Sequence, residues 1–158
     1  MKKLTIAGLA AVLGASAGAI AVESVQRPKM TRRADHTQKM TEFYQILIEW
    51  LRLKQEGKSL VAFFEQNDYK TVAIYGMKEL GERLYDELKD TGIEVKYMID
   101  KNADTIYADV DVVEPEDTLE EVDVIVVTAI HYFDEIEEAL AEKIDCPVIS
   151  LEDIVFEL

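Results

Sequence analysis

The segment YGMKELG, residues 75–81, has glycines at a spacing that suits phosphate binding. Gly76 directly follows an apolar run, and Met77 and Lys78 are the first two of the four residues between it and Gly81. A Gly-x-Gly-x-x-Gly turn leads a strand into a helix, brings backbone N–H groups to a pyrophosphate and lets helix and strand pack closely. Gly76 and Gly81 match its first and third glycines. Lys78 replaces the middle glycine, so its side chain either blocks a phosphate or offers it an ammonium group.

Three further residues are predicted to lie at the same edge as this turn. Asp100 comes nineteen residues after Gly81 and ends a predicted strand, where an acid contacts ribose hydroxyls in dinucleotide-binding folds. Thr128 and His131 belong to the loop TAIHYF, residues 128–133. With the turn they form a candidate cofactor-binding set, and no catalytic residue is assigned. The alternative is that the glycines serve packing only and that His131 is an ordinary loop residue.

Other kinds of reactive site find little support in the sequence. The chain shows no Cys/His metal-ligand spacing, no Walker loop and no nucleophile elbow. Tyr85 and Lys89 match the Tyr-x-x-x-Lys pair of short-chain dehydrogenases, but they lie on the first helix after the turn, where Tyr85 is expected to face the core. A single cysteine, Cys146, excludes an intrachain disulfide and fits a reducing compartment. A small oxidoreductase is therefore the least favoured function.

The elements that must position the candidate residues alternate between strand and helix. Strands are predicted at 71–76, 93–100, 109–113, 123–129 and 147–151, and helices at 78–90, 132–143 and 152–158. Such alternation is typical of a parallel sheet with helical crossovers. We therefore predict an α/β fold with a single Rossmann-like parallel sheet in the order 3-2-1-4-5.

A long amphipathic helix is predicted at residues 38–56, ending at Gly57. Its apolar residues form two stripes, where a helix packed on one domain face needs only one. The first stripe is Met40, Phe43, Tyr44, Leu47, Ile48 and Leu51, and the second is Ile46, Trp50 and Leu53. Two interpretations remain open: deep burial within the same domain, or pairing with a second copy or a partner helix.

An uncharged run at residues 4–22 is long enough, at about 1.5 Å per residue, to cross a hydrocarbon core of about 30 Å. Four basic residues follow it: Arg27, Lys29, Arg32 and Arg33. Because basic flanks stay on the cytoplasmic side, we expect a single-pass anchor with the domain in the cytoplasm. The alternative is a cleaved signal peptide and export. The predicted organisation is an anchor and basic linker at 1–35, a helical lead-in at 36–67 and a Rossmann-like domain at 68–158.

The charge of the chain is strongly negative and unevenly distributed. The formal net charge is −15, yet residues 1–35 contain six Lys/Arg and only two acids. Phosphate backbones repel so acidic a surface, which argues against a nucleic acid as partner.

Four segments together carry a resemblance to a known family: VAIYGMKELGERLYDEL, VKYMIDKNA, DVIVVTAI and CPVISLEDIV. Over about residues 58–158 the chain resembles the small Rossmann-like domain of bacterial surface-polysaccharide proteins. That domain is similar to the N-terminal domains of nucleotide-sugar N-acetyltransferases and of membrane-bound nucleotide-sugar dehydratases and epimerases. Lys78 departs from the glycine common in those relatives.

The resemblance implies a UDP-sugar or NAD(P) as ligand and a role in polysaccharide biosynthesis. It brings no enzyme, because the catalytic second domain of those relatives has no counterpart in the sequence. The expected function is nucleotide or nucleotide-sugar binding by a membrane-anchored, non-catalytic domain. The rival expectation is a degenerate Rossmann scaffold that acts through protein–protein interaction or dimerisation without a ligand.

Overall fold

The computed structural model describes residues 36–158, so the predicted anchor at 4–22 lies outside the described residues. The described residues belong to two units, with residues 36–44 in the first and Gln45–Leu158 in the second. The described part of the first unit, residues 36–44, is helical. The described helix α1 covers residues 36–55, and residues 45–55 of it belong to the second unit. No helix within residues 36–158 is long and apolar enough to cross a membrane.

The second unit is built on one five-stranded sheet in which every pairing is parallel. The strand order is 3-2-1-4-5, which confirms the predicted α/β class and sheet order. The strands are β1 (Thr71–Tyr75), β2 (Glu94–Ile99), β3 (Asp111–Val113), β4 (Val124–Val127) and β5 (Val148–Ser150). The strand β1 is central, between β2 and β4, and the apolar residues of β1 and β4 are almost all fully buried. Burial on both faces explains their unbroken apolar sequence.

The helices after α1 are α2 (Val61–Gln66), α3 (Glu79–Leu88), α4 (Phe133–Ala141) and α5 (Leu151–Glu157). Two of the four connections between strands of this sheet contain an α-helix, α3 between β1 and β2 and α4 between β4 and β5, while α2 precedes β1 and α5 follows β5. Two short 3-10 helices, Ala103–Thr105 and Ile130–Tyr132, follow β2 and β4. The connection from β2 to β3 therefore contains a single 3-10 turn and no α-helix.

The core lies on both faces of the sheet. On one face, Ala73, Tyr97 and Ile125 pack in a cluster with Ile136 and Leu140 of α4. Because side chains alternate along a strand, the neighbouring positions on each strand point to the opposite face. There α3 contacts β1 and β2 and buries its apolar side. The buried residues of α3 are Leu80, Gly81, Leu84 and Leu88. Tyr85, expected in the core, is only half-buried.

Within the second unit, α1 packs through the second of its two apolar stripes. Ile46 and Leu53 are fully buried, and Trp50 is 6% exposed. The first stripe is turned to solvent there, since Ile48 is 46% and Leu51 53% exposed. The domain therefore uses one stripe of residues 45–55 for its own core and leaves the other uncovered.

The carboxylate of Glu87 on α3 holds this packing in place. Its side chain is 5% exposed, and Oε2 accepts the indole N–H of Trp50 at 2.7 Å. Oε1 accepts the hydroxyl of Ser59 and the N–H of Leu60, each at 2.7 Å, and pairs with Lys54 at 2.7 Å. Burial works to raise the pKa of Glu87, but these partners outweigh it and hold the pKa below its usual range. A buried anion thus joins α1, the loop after it and α3.

Candidate functional site

The turn after β1 has the backbone conformation that its glycine spacing predicts. Gly76 has φ +98°, in the left-handed region that favours glycine. Its N–H donates to the carbonyl of Ile99 at 2.8 Å, which continues the ladder between β1 and β2 by one residue. The chain can therefore leave the sheet abruptly and enter α3 three residues later.

Gly81 lets α3 approach the turn more closely than any other residue would. A Cβ atom at Gly81 would lie 2.0 Å from the carbonyl oxygen of Gly76, a backbone atom that cannot move away at low cost. The close helix–strand packing expected of the third glycine is thus present. This contact alone requires glycine, whether or not a ligand binds.

Thr128, at the end of β4, lies directly against the turn. Its hydroxyl is 2.7 Å from the carbonyl oxygen of Gly76 and 3.1 Å from that of Tyr75. A hydroxyl has one proton to donate, and the shorter distance favours Gly76 as its acceptor. Since Thr128 is only 7% exposed, its polar group acts inside the protein, where it ties β4 to the turn.

Asp100 lies across the same edge of the sheet, at the end of β2. One carboxylate oxygen accepts the N–H of Met77 at 2.9 Å. The other accepts the backbone N–H of Asn102 at 2.9 Å and its side-chain amide at 3.2 Å. Burial alone would raise the pKa of Asp100, but these hydrogen bonds and the charge of Lys78 hold it below the ordinary value. Both oxygens therefore already have partners within the chain.

Lys78 is the exposed N-cap residue of α3, with φ −106° and ψ −162°. No side chain caps this end of the helix, so its first N–H groups are available to an anion. Two acids, Glu79 and Glu82, lie in the first turn. They interact favourably with the helix dipole and weaken the attraction for a second anion.

His131 lies on the 3-10 helix that follows Thr128 and is half-buried. Hydrogen bonds and the close glycine contact bring together five of the predicted residues. These are Gly76, Met77, Gly81, Asp100 and Thr128. Lys78 borders this group at the start of α3, and His131 stands on the neighbouring element. Within residues 36–158 no group of His, Cys, Asp or Glu could hold a metal ion.

A cleft beside the turn was not predicted from the sequence. It has a volume of about 360 Å³ and lies between one side of α3 and the loop that leads to β3. Glu82, Tyr85 and Asp86 line it from α3, Lys89 lines it from the position directly after the helix, and Tyr107 lines it from the loop. Apart from Arg83, which also lines the cleft, the lining residues from Glu82 to Lys89 follow the i, i+3, i+4, i+7 spacing of one helix face, which the sequence contains. Nothing in the sequence showed that the loop would leave this face open.

One family model matches the chain, over residues 68–148, and its description is C2185-like, N-terminal. The matched segment runs from just before β1 to the first residue of β5 and includes the turn, Asp100, Thr128 and the cleft. No curated protein and no solved structure matches the chain. Because the family model spans more than half of the sequence, the protein belongs to the C2185-like family and carries its N-terminal domain.

Proposed function

We propose that the protein is a Rossmann-like binding domain for a nucleotide or nucleotide-sugar, and that it catalyses no reaction alone. The turn from Gly76 to Gly81 carries the proposal. It joins a left-handed glycine, a close glycine contact and an uncapped helix start, all at the carboxyl edge of a parallel sheet. Ligands of open α/β sheets bind at this edge.

The phosphates of the ligand would lie at the start of α3. Its first backbone N–H groups can donate to phosphate oxygens, and Lys78 adds a charge-assisted contact. Glu79 and Glu82 oppose that attraction, so we expect moderate affinity. The side chain of Lys78 also restricts the close backbone approach that a middle glycine would allow. UDP or a UDP-sugar should therefore bind better than NAD(P), because the pyrophosphate of NAD(P) must lie close to the backbone of the turn.

Calorimetry with UDP, a UDP-sugar and NAD tests this proposal. Lys78→Gly should weaken UDP binding and shift the preference toward NAD. Lys70→Gly is a matched control, because Lys70 is an exposed lysine that precedes β1 at the opposite edge of the sheet. If the wild-type protein binds none of these ligands at millimolar concentration, the glycines serve packing alone and the proposal is wrong.

A second candidate function is protein–protein interaction through α1. The observation that favours it is the uncovered stripe at Leu47, Ile48 and Leu51, three apolar side chains that are each at least 37% exposed. An amphipathic helix from a second copy or a partner could cover this stripe. Binding at the turn and pairing through α1 use different surfaces, so each can be tested without the other.

We further propose that residues 4–22 anchor the domain at the cytoplasmic face of a membrane, in a cell-surface polysaccharide pathway. The uncharged run and the basic residues after it support the anchor, and the resemblance to polysaccharide proteins supports the pathway. A C-terminal alkaline phosphatase fusion should be inactive. An active fusion, or a mature protein that begins near residue 22, would contradict the anchor.

A further inference from the structure

The cleft beside α3 exists because the connection from β2 to β3 has no α-helix. In a sheet of this kind a crossover helix would pack alongside α3. Here the chain makes one 3-10 turn, Ala103–Thr105, and reaches β3 through a loop. One side of α3 therefore faces a cleft of about 360 Å³. Met77, in the glycine turn, lines the same cleft, so the cleft is continuous with the proposed phosphate site.

We propose that this cleft binds the ribose and base of a nucleoside diphosphate whose phosphates lie at Lys78 and the start of α3. The proposal rests on the function proposed above and names the part of the ligand that the cleft takes. Carboxylates of the cleft would accept hydrogen bonds from hydroxyl and amino groups of the ligand, and an aromatic ring would stack on the base.

The charges in the cleft favour an uncharged part of a ligand over a phosphate. The lining carboxylates are Glu82, Asp86 and Asp109. They outnumber the two lining cations, Arg83 and Lys89, which pair with Asp86 at 3.2 Å and 2.8 Å. A phosphate would meet excess negative charge, whereas ribose hydroxyls and exocyclic amines can donate to the carboxylates.

The hydrogen bonds of Asp100 also favour the cleft as the place for the ribose. An acid at the end of β2 usually serves the ribose in this type of sheet. Here both oxygens of Asp100 accept hydrogen bonds from Met77 and Asn102. The two acids on α3 pair with Arg83 and Lys89. Asp109, the third carboxylate of the cleft, can accept a hydrogen bond from a ribose hydroxyl without breaking the turn.

Tyr107 supplies the aromatic surface. It is 99% exposed, although an apolar ring normally loses water on folding. Tyr85 also lines the cleft, but the ammonium of Lys89 lies 5.8 Å from its ring centroid and covers one face. The ring of Tyr107 is therefore the surface on which a base can stack, and stacking accepts any base.

The test compares ligands with and without a base. The full chain is titrated by calorimetry with UDP, ADP and inorganic pyrophosphate. Tyr107→Ala should weaken UDP and ADP binding by about fivefold to tenfold and leave pyrophosphate unchanged. Tyr107→Phe should retain wild-type affinity because stacking needs no hydroxyl. Phe156→Ala is the matched control, since Phe156 is an exposed aromatic residue, 54% accessible, on α5.

Each outcome separates the cleft from the phosphate site. If Lys78→Gly weakens all three ligands and Tyr107→Ala weakens only the nucleotides, the proposal holds. If UDP binds and Tyr107→Ala changes nothing, the cleft proposal is wrong while the proposed function stands. Equal weakening of pyrophosphate by Tyr107→Ala would also overturn it, because the variant would then act through the fold. If none of the three ligands binds the wild-type chain, the proposed function fails and the cleft proposal fails with it.

Discussion

A carboxylate oxygen of Asp100 accepts the backbone N–H of Met77 at 2.9 Å, so the end of β2 holds the turn that follows β1. The residue predicted to contact a ribose thus stabilises the protein itself. Because the second oxygen is bonded to Asn102, the carboxylate fixes two loops at once. The loops concerned are those that border the proposed ligand site.

Asp100→Ala should destabilise the protein without any ligand present. The change leaves the N–H groups of Met77 and Asn102 without their acceptor, and each such loss costs about 1–3 kcal/mol. Asp100→Asn keeps one acceptor oxygen and should cost less. Urea unfolding measures both. The control is Asp104→Ala, an exposed acid in the same loop, which should stay within about 0.5 kcal/mol of wild type. If Asp100→Ala lowered the stability only in the presence of a ligand, the structural role of Asp100 would be contradicted.

Gly81→Ala should lower the free energy of unfolding by about 3 kcal/mol or more, since overpacking against a backbone atom forces the helix to move. The added Cβ would lie 2.0 Å from the Gly76 carbonyl oxygen. Gly92→Ala is the matched control, because no atom lies within 4 Å of its Cβ position. Comparable unfolding midpoints for the two variants would show that α3 is not in close contact with the turn at Gly81.

Glu87→Ala should destabilise the domain by about 2–4 kcal/mol, because the indole N–H of Trp50 and the N–H of Leu60 lose a buried acceptor. Glu137→Ala is the control, an exposed acid on α4. Thermal unfolding of both variants measures the difference. An effect no larger than that of the control would mean that apolar packing alone holds α1.

Acid should destabilise the protein through three carboxylates that accept backbone N–H groups and whose pKa values the fold lowers. They are Glu87, Asp100 and Asp123, which binds the N–H groups of Lys70 and Thr71 at the opposite edge of the sheet. Their stabilisation is full above the unfolded pKa of about 4 and is lost as pH falls through the lower folded values. Urea midpoints should therefore fall below about pH 4. In the Glu87→Gln variant the urea midpoint should fall less as the pH is lowered. The same pH dependence as in the wild type would contradict the role assigned to Glu87.

If the uncovered stripe pairs two copies, the wild-type chain should be a dimer by light scattering. Leu51→Lys should then give a monomer, while Phe156→Lys, at an exposed apolar residue on α5, should leave the dimer intact. Trp50 is unsuitable for this test, since it is 6% exposed and a polar substitution there would disturb the core. A monomeric wild-type chain would contradict pairing between copies.

The sheet could be predicted because alternating strand and helix patterns are local. The runs that became β1 and β4 are apolar apart from Thr71, and the helices between β1 and β2 and between β4 and β5 are typical of parallel strands. The turn was also predictable from the positions of Gly76 and Gly81. The roles of Asp100 and Thr128 were not, since their hydrogen bonds reach 23 and 52 positions along the chain. Such pairings depend on the assembled sheet.

The two apolar stripes of α1 show a second limit of prediction from the sequence. Both have helical spacing, and the domain buries the shorter one, so periodicity and apolar content could not show which stripe would be buried. The choice follows from Glu87, whose carboxylate meets the indole of Trp50. Tyr85 was also expected in the core, but it is only half-buried, while Leu84 beside it is fully buried.

The contact between Trp50 and Glu87 also gives the protein an internal optical probe. Trp50 is the single tryptophan of the chain, and its indole is buried against a carboxylate on another helix. Its fluorescence therefore reports the separation of α1 from α3, while circular dichroism follows the sheet and helices together. Where the two signals change at different denaturant concentrations, α1 unfolds as a unit of its own.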